Sequence, residues 1–261
     1  MKAVDTHSHI HSKDYVLDAA KVYEDSIKLL EFFIVCGEDV EDSRLAVNFS
    51  TNKPGVFASV GIHPHEASNA SNVDELRELA KQDKVVAIGE CGLDFWYMHS
   101  DKAVQIEVLT KQIEIAQELD LPLIFHVRGE KERPSDIFNE FFMLIDSLNN
   151  RGKKIRGVIH SFTSGQKELE GVLSRGLAVG FNGILTFTKD EALIDVGRTV
   201  PHGSFVLETD SPYLTPTPNR GKVNVPKNVV DTAMFLAEVR GESLNELLTQ
   251  TNKAAKRLFN I

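Results

Sequence analysis

The sequence lacks a cysteine framework, a long apolar run and a surplus of basic residues. Its 261 residues include two cysteines, Cys36 and Cys91, which are too few to staple a secreted scaffold. No apolar run approaches the ~20 residues that a membrane span requires. Residues 1–7 contain no apolar signal core and are expected to form the first strand. We therefore expect a cytoplasmic protein with reduced thiols, no membrane association and no obligate protein partner.

Internal repeats, low-complexity stretches and linkers are also lacking. The length is normal for one α/β barrel, a fold of typically ~250 residues. A single domain over residues 1–261 is therefore expected. The one Pro-rich stretch, residues 212–226, follows the last predicted strand and is expected to be a long loop at the functional site.

What is present is an alternation of strand-like and helix-like segments. Short apolar runs without polar alternation are typical of parallel strands that are covered on both faces. These runs are residues 3–5, 32–35, 56–60, 85–88, 121–125, 157–159, 177–180 and 205–207. Between them, apolar residues recur at helical spacing, most clearly over residues 16–30, 106–116 and 138–148. Ser243 and Glu246 have the spacing of a capping box that begins a last helix.

Eight strands that are each followed by a helix predict an α/β fold, a single (β/α)8 TIM barrel. The active site of such a barrel lies at the C-terminal ends of its strands. A doubly wound open sheet is the alternative. It is disfavoured because no Gly-rich phosphate-binding motif follows the first strand.

Histidines are concentrated where the predicted strands end. Of the nine in the chain, six fall at these positions, and His11 lies just beyond the first strand. The six are His7, His9, His63, His65, His126 and His160. Glu90 and Asp210 follow the fourth and eighth predicted strands. Since these strand ends meet at one mouth of the barrel, the side chains are expected to converge there.

His7 and His9 are two residues apart on a strand, so their side chains point the same way. They could share one metal ion, whereas an isolated pair of this kind is often only hydrogen-bonded. His126 and His160, on adjacent strands, could hold a second ion. Mixed imidazole and carboxylate ligands suit Zn, Mn or, at a carboxylate-rich position, Mg. The convergence favours two divalent ions, which can together activate water and stabilise a leaving oxygen.

Glu90 and Asp210 are the predicted catalytic residues. Glu90 lies between the two histidine groups in barrel order, so its carboxylate could bridge two ions. Asp210 could ligate the first ion and accept a proton from the attacking water. The alternative for Asp210 is a turn cap, because aspartate before Ser-Pro favours turns. With Glu90 and Asp210, the predicted metal ligands are His7, His9, Glu90, His126, His160 and Asp210.

Several motifs together resemble the TatD family of metal-dependent deoxyribonucleases, within the amidohydrolase-like barrels. They are residues 5–9 (DTHSH), 61–65 (GIHPH), 89–95 (GECGLDF), 121–128 (LPLIFHVR), 160–163 (HSFT), 208–214 (ETDSPYL) and 220–222 (RGK), with Asn252 and residues 258–259. The resemblance runs nearly end to end and implies the same six metal ligands. Related phosphotriesterases and amidases commonly bridge their metals with a modified lysine on the fourth strand, where this chain has Glu90.

The resemblance implies 3'-5' exonuclease-like hydrolysis of single-stranded DNA. The formal net charge of −9 opposes this expectation, because nucleic-acid binders usually carry a basic surface. Two divalent ions would add about four positive charges where a phosphate must lie. The charge thus argues against tight, sequence-independent binding, and not against a site that meets one phosphate at a time.

Substrate contacts are less defined by the sequence. His65 and Arg220 are the predicted phosphate-holding residues, although Arg220 could instead be a solvated loop arginine. Phe95, Trp96 and Tyr97 could stack on unpaired bases or could close the barrel mouth. A hydrolase of a small ester, amide or phosphate substrate is the alternative function, since one metal centre serves many substrates.

Overall fold

Eight parallel strands form the centre of the fold, and each pairs with its neighbour in sequence order. The computed structural model describes residues 1–70 and 72–261. The strands are β1 (Ala3–Ser8), β2 (Leu30–Cys36), β3 (Val56–Val60), β4 (Val85–Asp94), β5 (Leu123–Arg128), β6 (Gly157–Ile159), β7 (Ala178–Phe181) and β8 (Phe205–Leu207). Each of the eight predicted strands is present, and the predicted TIM barrel is confirmed.

The barrel closes where the end of β1 meets the segment after β8. The Asp210 N–H donates to the carbonyl of His7 at 2.9 Å, and the His9 N–H donates to the carbonyl of Ser211 at 2.6 Å. Ser8 and Ser211 form an isolated parallel bridge. This seam fixes Asp210 directly beside the pair His7 and His9.

Helices cover the outside of the sheet and connect its strands. They are α1 (Ala19–Ser26), α2 (Val40–Ser50), α3 (Glu75–Leu79), α4 (Lys102–Leu119), α5 (Ile137–Asn149), α6 (Gln166–Ser174), α7 (Glu191–Thr199), α8 (Val229–Arg240) and α9 (Leu244–Phe259). Short 3-10 helices lie over Pro64–Asn69, Gly183–Thr186 and Pro226–Asn228. Among the described residues, no helix is both long and apolar enough to span a bilayer.

The first helix is shorter than its apolar stripe predicts. The stripe begins at Val16 and ends at Leu30, but Val16 is exposed and Leu30 opens β2. Asp18 starts the helix by accepting hydrogen bonds from the N–H groups of Ala20 and Lys21. The side-chain cap therefore sets the start of the helix three residues into the region that the periodicity suggests.

Two layers of apolar side chains stabilise the barrel. Along β2, Phe33 and Val35 belong to the large cluster between sheet and helices, whereas Phe32 and Ile34 belong to a second cluster. Phe259 and other residues of α9 pack with this second cluster. The absence of polar alternation in the strands thus follows from burial of both faces.

Helix α9 begins with the predicted capping box, in which Ser243 and Glu246 satisfy each other's backbone N–H groups. We expect Ser243→Ala to lower the free energy of unfolding by about 1 kcal/mol, because an N–H of the first turn loses its acceptor. Urea unfolding measures the loss. Ser147→Ala, inside α5, is the matched control and should cost nothing, since alanine is the better helix former. Equal stability of Ser243→Ala and the wild type would contradict a stabilising cap.

Candidate active site

The mouth of the barrel gathers the side chains that the sequence predicts as ligands. His7 lies in β1 and His126 in β5, while Glu90 lies within β4 because that strand continues to Asp94. His160 follows β6 directly, and Asp210 follows β8 after two residues. Ligand-capable atoms of these residues lie within 4.8 Å of one another in overlapping groups of three. The structure therefore brings all six predicted ligands together.

Glu90 occupies the centre of this cluster. Its Oε2 lies 3.2 Å from His7 Nε2 and 3.6 Å from His9 Nε2. Its Oε1 lies 2.9 Å from both His126 Nδ1 and His160 Nε2. The two carboxylate oxygens thus face two separate pairs of imidazoles, which is the geometry of a bridging ligand.

The other ring nitrogens of two histidines are held by groups behind the cluster. His9 Nδ1 lies 2.9 Å from the carbonyl of Cys36, an acceptor that requires a proton on this nitrogen. His126 Nε2 lies 3.0 Å from Asp94 Oδ2. With these nitrogens held from behind, His9 Nε2 and His126 Nδ1 are the ring nitrogens that face Glu90 and that a cation would bind.

His160 has a longer contact, at ion-pair rather than hydrogen-bond distance, with the residue that follows β8. Its Nδ1 lies 3.7 Å from Glu208 Oε1, which also accepts the Ser161 N–H at 2.5 Å. Glu208 is fully buried, and its Oε2 has no hydrogen-bond partner among the described residues. Sequence reasoning missed Asp94 and Glu208 in this orienting role, although both belong to the quoted motifs.

Asp210 faces the first pair of histidines. Its Oδ1 lies 3.5 Å from His9 Nε2 and 3.8 Å from His7 Nε2. Its backbone has a left-handed φ of 57°. In the part of the chain that the structure describes, no backbone N–H donates to its side chain, so the arrangement does not support a turn cap.

His63 and His65 begin the 3-10 helix after β3 rather than ending the strand. His63 Nε2 lies 3.5 Å from Glu90 Oε1, and His63 forms a potential ligand group with Glu90 and His126. His65 Nε2 lies 3.0 Å from Asp94 Oδ2, at the edge of the cluster. The sequence predicts His63 among the converging histidines but not among the metal ligands, because its proximity to Glu90 is not visible in local spacing.

The structure places Arg220 in the long loop that was expected after β8. Its guanidinium lies 3.8 Å from the centre of the Phe187 ring and donates to the carbonyl of Thr215 at 2.9 Å. Arg220 is not among the residues that line the cavity around Glu90. Its predicted contact with phosphate stays a prediction.

The cluster shifts the pKa values of its own members. Burial raises the pKa of Glu90, but the surrounding imidazoles, led by that of His160, outweigh burial and hold it well below its usual value. Burial lowers the pKa of His9, yet the neighbouring carboxylates, led by Glu38, raise it to about 10. Positive charge is therefore favoured at the points where the carboxylates converge.

This donor set fits divalent cations. His7 Nε2 and His9 Nε2 face each other at 3.0 Å, a separation at which two ring nitrogens share a proton or bind one cation. Glu90 and Asp210 supply the negative charge that such a cation requires, and the site is buried. Imidazole with carboxylate is the ligand chemistry of Zn and Mn, and of Mg where carboxylates dominate.

A cavity of ≈ 810 Å³ opens onto the cluster. Four carboxylates line it, those of Glu38, Glu90, Asp94 and Asp210, and Arg128 is the one Lys or Arg side chain in its described lining. The cavity is therefore not a basic groove. Arg128 and the imidazoles of the cluster are the positive groups that an anionic substrate would meet in this lining, and bound cations would add to them.

A (β/α)8 barrel with a histidine and carboxylate cluster at its mouth defines the class of metal-dependent hydrolases. The family described as TatD related DNase matches residues 4–260. The chain therefore belongs to the TatD family.

Individual relatives agree with this assignment. The chain is 33% identical over 274 residues to the uncharacterized metal-dependent hydrolase YcfH of Escherichia coli K12, covering 100% of this chain and 97% of that protein. It is 32% identical over 236 residues to the 3'-5' ssDNA/RNA exonuclease TatD of Erwinia tasmaniensis, covering 87% and 88%. The crystal structure of the TatD homolog YjjV of E. coli superposes with a TM-score of 0.88 at 23% identity, over 99% and 98% of the two chains.

Proposed function

We propose that this protein hydrolyses phosphodiester bonds of single-stranded DNA, in the manner of a 3'-5' exonuclease, with two divalent ions bound at the barrel mouth. The observation that carries the proposal is the position of Glu90, whose two oxygens face separate imidazole pairs at 2.9 to 3.6 Å. One carboxylate between two ligand groups is typical of two-ion centres that serve in-line displacement at phosphorus.

The proposed ligands divide into two sets around Glu90. His7, His9 and Asp210 form the first set, and His126 and His160 form the second. Bound ions of this kind polarise a phosphoryl oxygen and lower the pKa of water. The protein orients the ring nitrogens that would bind the ions: Asp94 orients His126, and the carbonyl of Cys36 orients His9.

Asp210 is the proposed acceptor for the proton of the attacking water. Burial raises the pKa of Asp210, but the hydrogen bond from His9 and the neighbouring imidazoles lower it by more. The pKa therefore lies below its usual value, and the group is ionised at neutral pH. It borders the cavity, where a water and a phosphate can approach it. His65, which lines the same cavity, and Arg220 are the predicted phosphate contacts among the groups that are not ligands.

Single-stranded DNA is the substrate that tests the proposal most directly. We expect cleavage of a labelled oligonucleotide in Mg²⁺ or Mn²⁺, weaker cleavage of a blunt duplex, and loss of activity with a chelator. The rate should fall steeply as salt rises, because attraction to phosphates is screened. Gel analysis of the product ladder measures all four effects, and it also shows whether cleavage starts at the 3' end.

Small substrates provide the opposing arm of this experiment. The same metal-loaded preparation is offered ester, amide and phosphate monoester substrates. Turnover of these compounds without cleavage of any oligonucleotide would replace the proposed function with that of a small-molecule hydrolase.

A further inference from the structure

Arg128 differs from the other residues that line the cavity. It is the one Lys or Arg there, and among the described residues its guanidinium makes no ion pair and no hydrogen bond. The exposed Arg133, five residues on, pairs with Glu130 and Asp136. A cation that lines a cavity with four carboxylates and pairs with none of them has its donors available for a ligand.

The position of Arg128 is set by β5. It follows His126 by two residues on this strand, so both side chains lie on the same face, and both line the cavity. Two residues of a strand span ~7 Å. The base of the Arg128 side chain therefore lies one strand repeat further out from the ligand cluster than His126.

Two aromatic rings hold the guanidinium. Its central carbon lies 4.9 Å from the ring centres of both Trp96 and Tyr97. Asp94 Oδ1 accepts the N–H groups of these two residues at 2.9 Å each, and Gln105 binds the carbonyls of Asp94 and Ser100. These hydrogen bonds hold residues 94–97, which carry both rings, in place. Stacking on the rings leaves the edge of the guanidinium open to a phosphate.

The part of the mouth formed by the segments after β1, β2 and β3 is acidic. A second cavity of ≈ 250 Å³ shares Glu38, His63 and His65 with the first. Its lining also includes the carboxylates of Asp14, Asp39, Glu41, Asp42 and Glu66, against one lysine, Lys13. A polyanion is repelled on this side, so a strand that leaves the metal cluster should leave past Arg128.

We propose that Arg128 binds the phosphate next to the scissile one in a single strand, so that the site prefers a polynucleotide to an isolated phosphodiester. This inference rests on the proposed function above. Three observations support this position of the second phosphate. They are the distance of Arg128 from His126, the absence of an ion pair or hydrogen bond at its guanidinium among the described residues, and the acidic lining of the second cavity. The rings of Trp96 and Tyr97 orient the guanidinium for paired hydrogen bonds.

The test combines one variant with one neutralised linkage. Short oligothymidylates are made with a single uncharged methylphosphonate linkage, and product masses identify which linkage is cut. The neutral linkage can then be placed directly beside the scissile one, on either side. The value of kcat/KM is measured for the wild type, Arg128→Gln and Arg128→Lys in the metal-loaded state.

For the wild type, one of the two neutral linkages should lower kcat/KM by roughly 10- to 100-fold, the range of a hydrogen bond to a charged group. Arg128→Gln should show a similar loss on the fully charged strand and little further loss with the neutral linkage. Arg128→Lys should recover only part of the activity, because an ammonium lacks the planar fork. On bis(p-nitrophenyl) phosphate, which has one phosphate, the loss in Arg128→Gln should be smaller than on DNA.

Arg133→Gln is the matched control, since it removes the same charge from the loop that follows β5 and lies outside the cavity lining. It should behave as the wild type does. Equal sensitivity of wild type and Arg128→Gln to the neutral linkages would overturn the inference while leaving the nuclease function intact. So would an equal loss on both substrates, which would place Arg128 at the scissile phosphate. If the wild type cuts no oligonucleotide, the proposed function itself is wrong, and this result is obtained before any variant is compared.

Discussion

Replacing Asp210 with asparagine should lower kcat by ~10²–10⁴-fold, the usual contribution of a general base. The asparagine keeps the size of the side chain but cannot accept the proton of the attacking water. It also weakens the first ligand set, because its charge no longer faces His7 and His9 at 3.8 and 3.5 Å. The loss should appear in kcat and should persist at saturating metal.

The fold of Asp210→Asn should remain intact. The left-handed φ of 57° suits asparagine, and the carboxylate holds no described backbone N–H. Circular dichroism and thermal unfolding of the same preparation check this point. A lower melting temperature with most activity retained would reverse the assignment and make Asp210 a structural residue.

Removing either imidazole of the second ligand set should reduce bound metal from about two ions per chain to about one. His126→Ala and His160→Ala each leave one oxygen of Glu90 without one of its two partners at 2.9 Å. We expect kcat/KM to fall roughly 10³-fold, because several kcal/mol of charge stabilisation at the transition state are lost.

Mass spectrometry of the dialysed proteins gives the metal content. His202→Ala is the matched control, since His202 pairs with Glu242 away from the cluster and should bind metal as the wild type does. If His126→Ala and His160→Ala both bind as much metal as the wild type, the proposal of a second ion site is wrong.

The strands and most of the ligand cluster follow from the sequence because both depend on local order. Parallel strands covered on both faces leave apolar runs, and their ends meet at one mouth, so His7, His126 and His160 could be placed together. The error at α1 arose because an apolar stripe does not specify where a helix begins. The side-chain cap of Asp18 does, and it overrides the periodicity of Val16.

The partners of the ligands could not be found in this way. Asp94 contacts His65 and His126 across 29 and 32 residues of chain, and Glu208 reaches His160 across 48 positions that carry no shared pattern. The register shift between Ile88 and Cys91, the stretch that contains Glu90, is also a property of the paired strands. Arg128 lies in a quoted motif, but only the structure shows that its guanidinium has no ion pair or hydrogen bond among the described residues and that it lines the cavity.

Asp94 contacts two parts of the site at once. Its Oδ2 holds His126, while its Oδ1 holds the backbone at Trp96 and Tyr97, whose rings support Arg128. Under the proposed function, we expect metal affinity and nucleotide affinity to be coupled through this carboxylate. Such coupling is reciprocal. A DNA strand bound at Arg128 would therefore strengthen ion binding by the same factor by which the ion strengthens DNA binding. In that case the proposed second ion should be held most firmly while a DNA strand is bound, and released most readily between substrates.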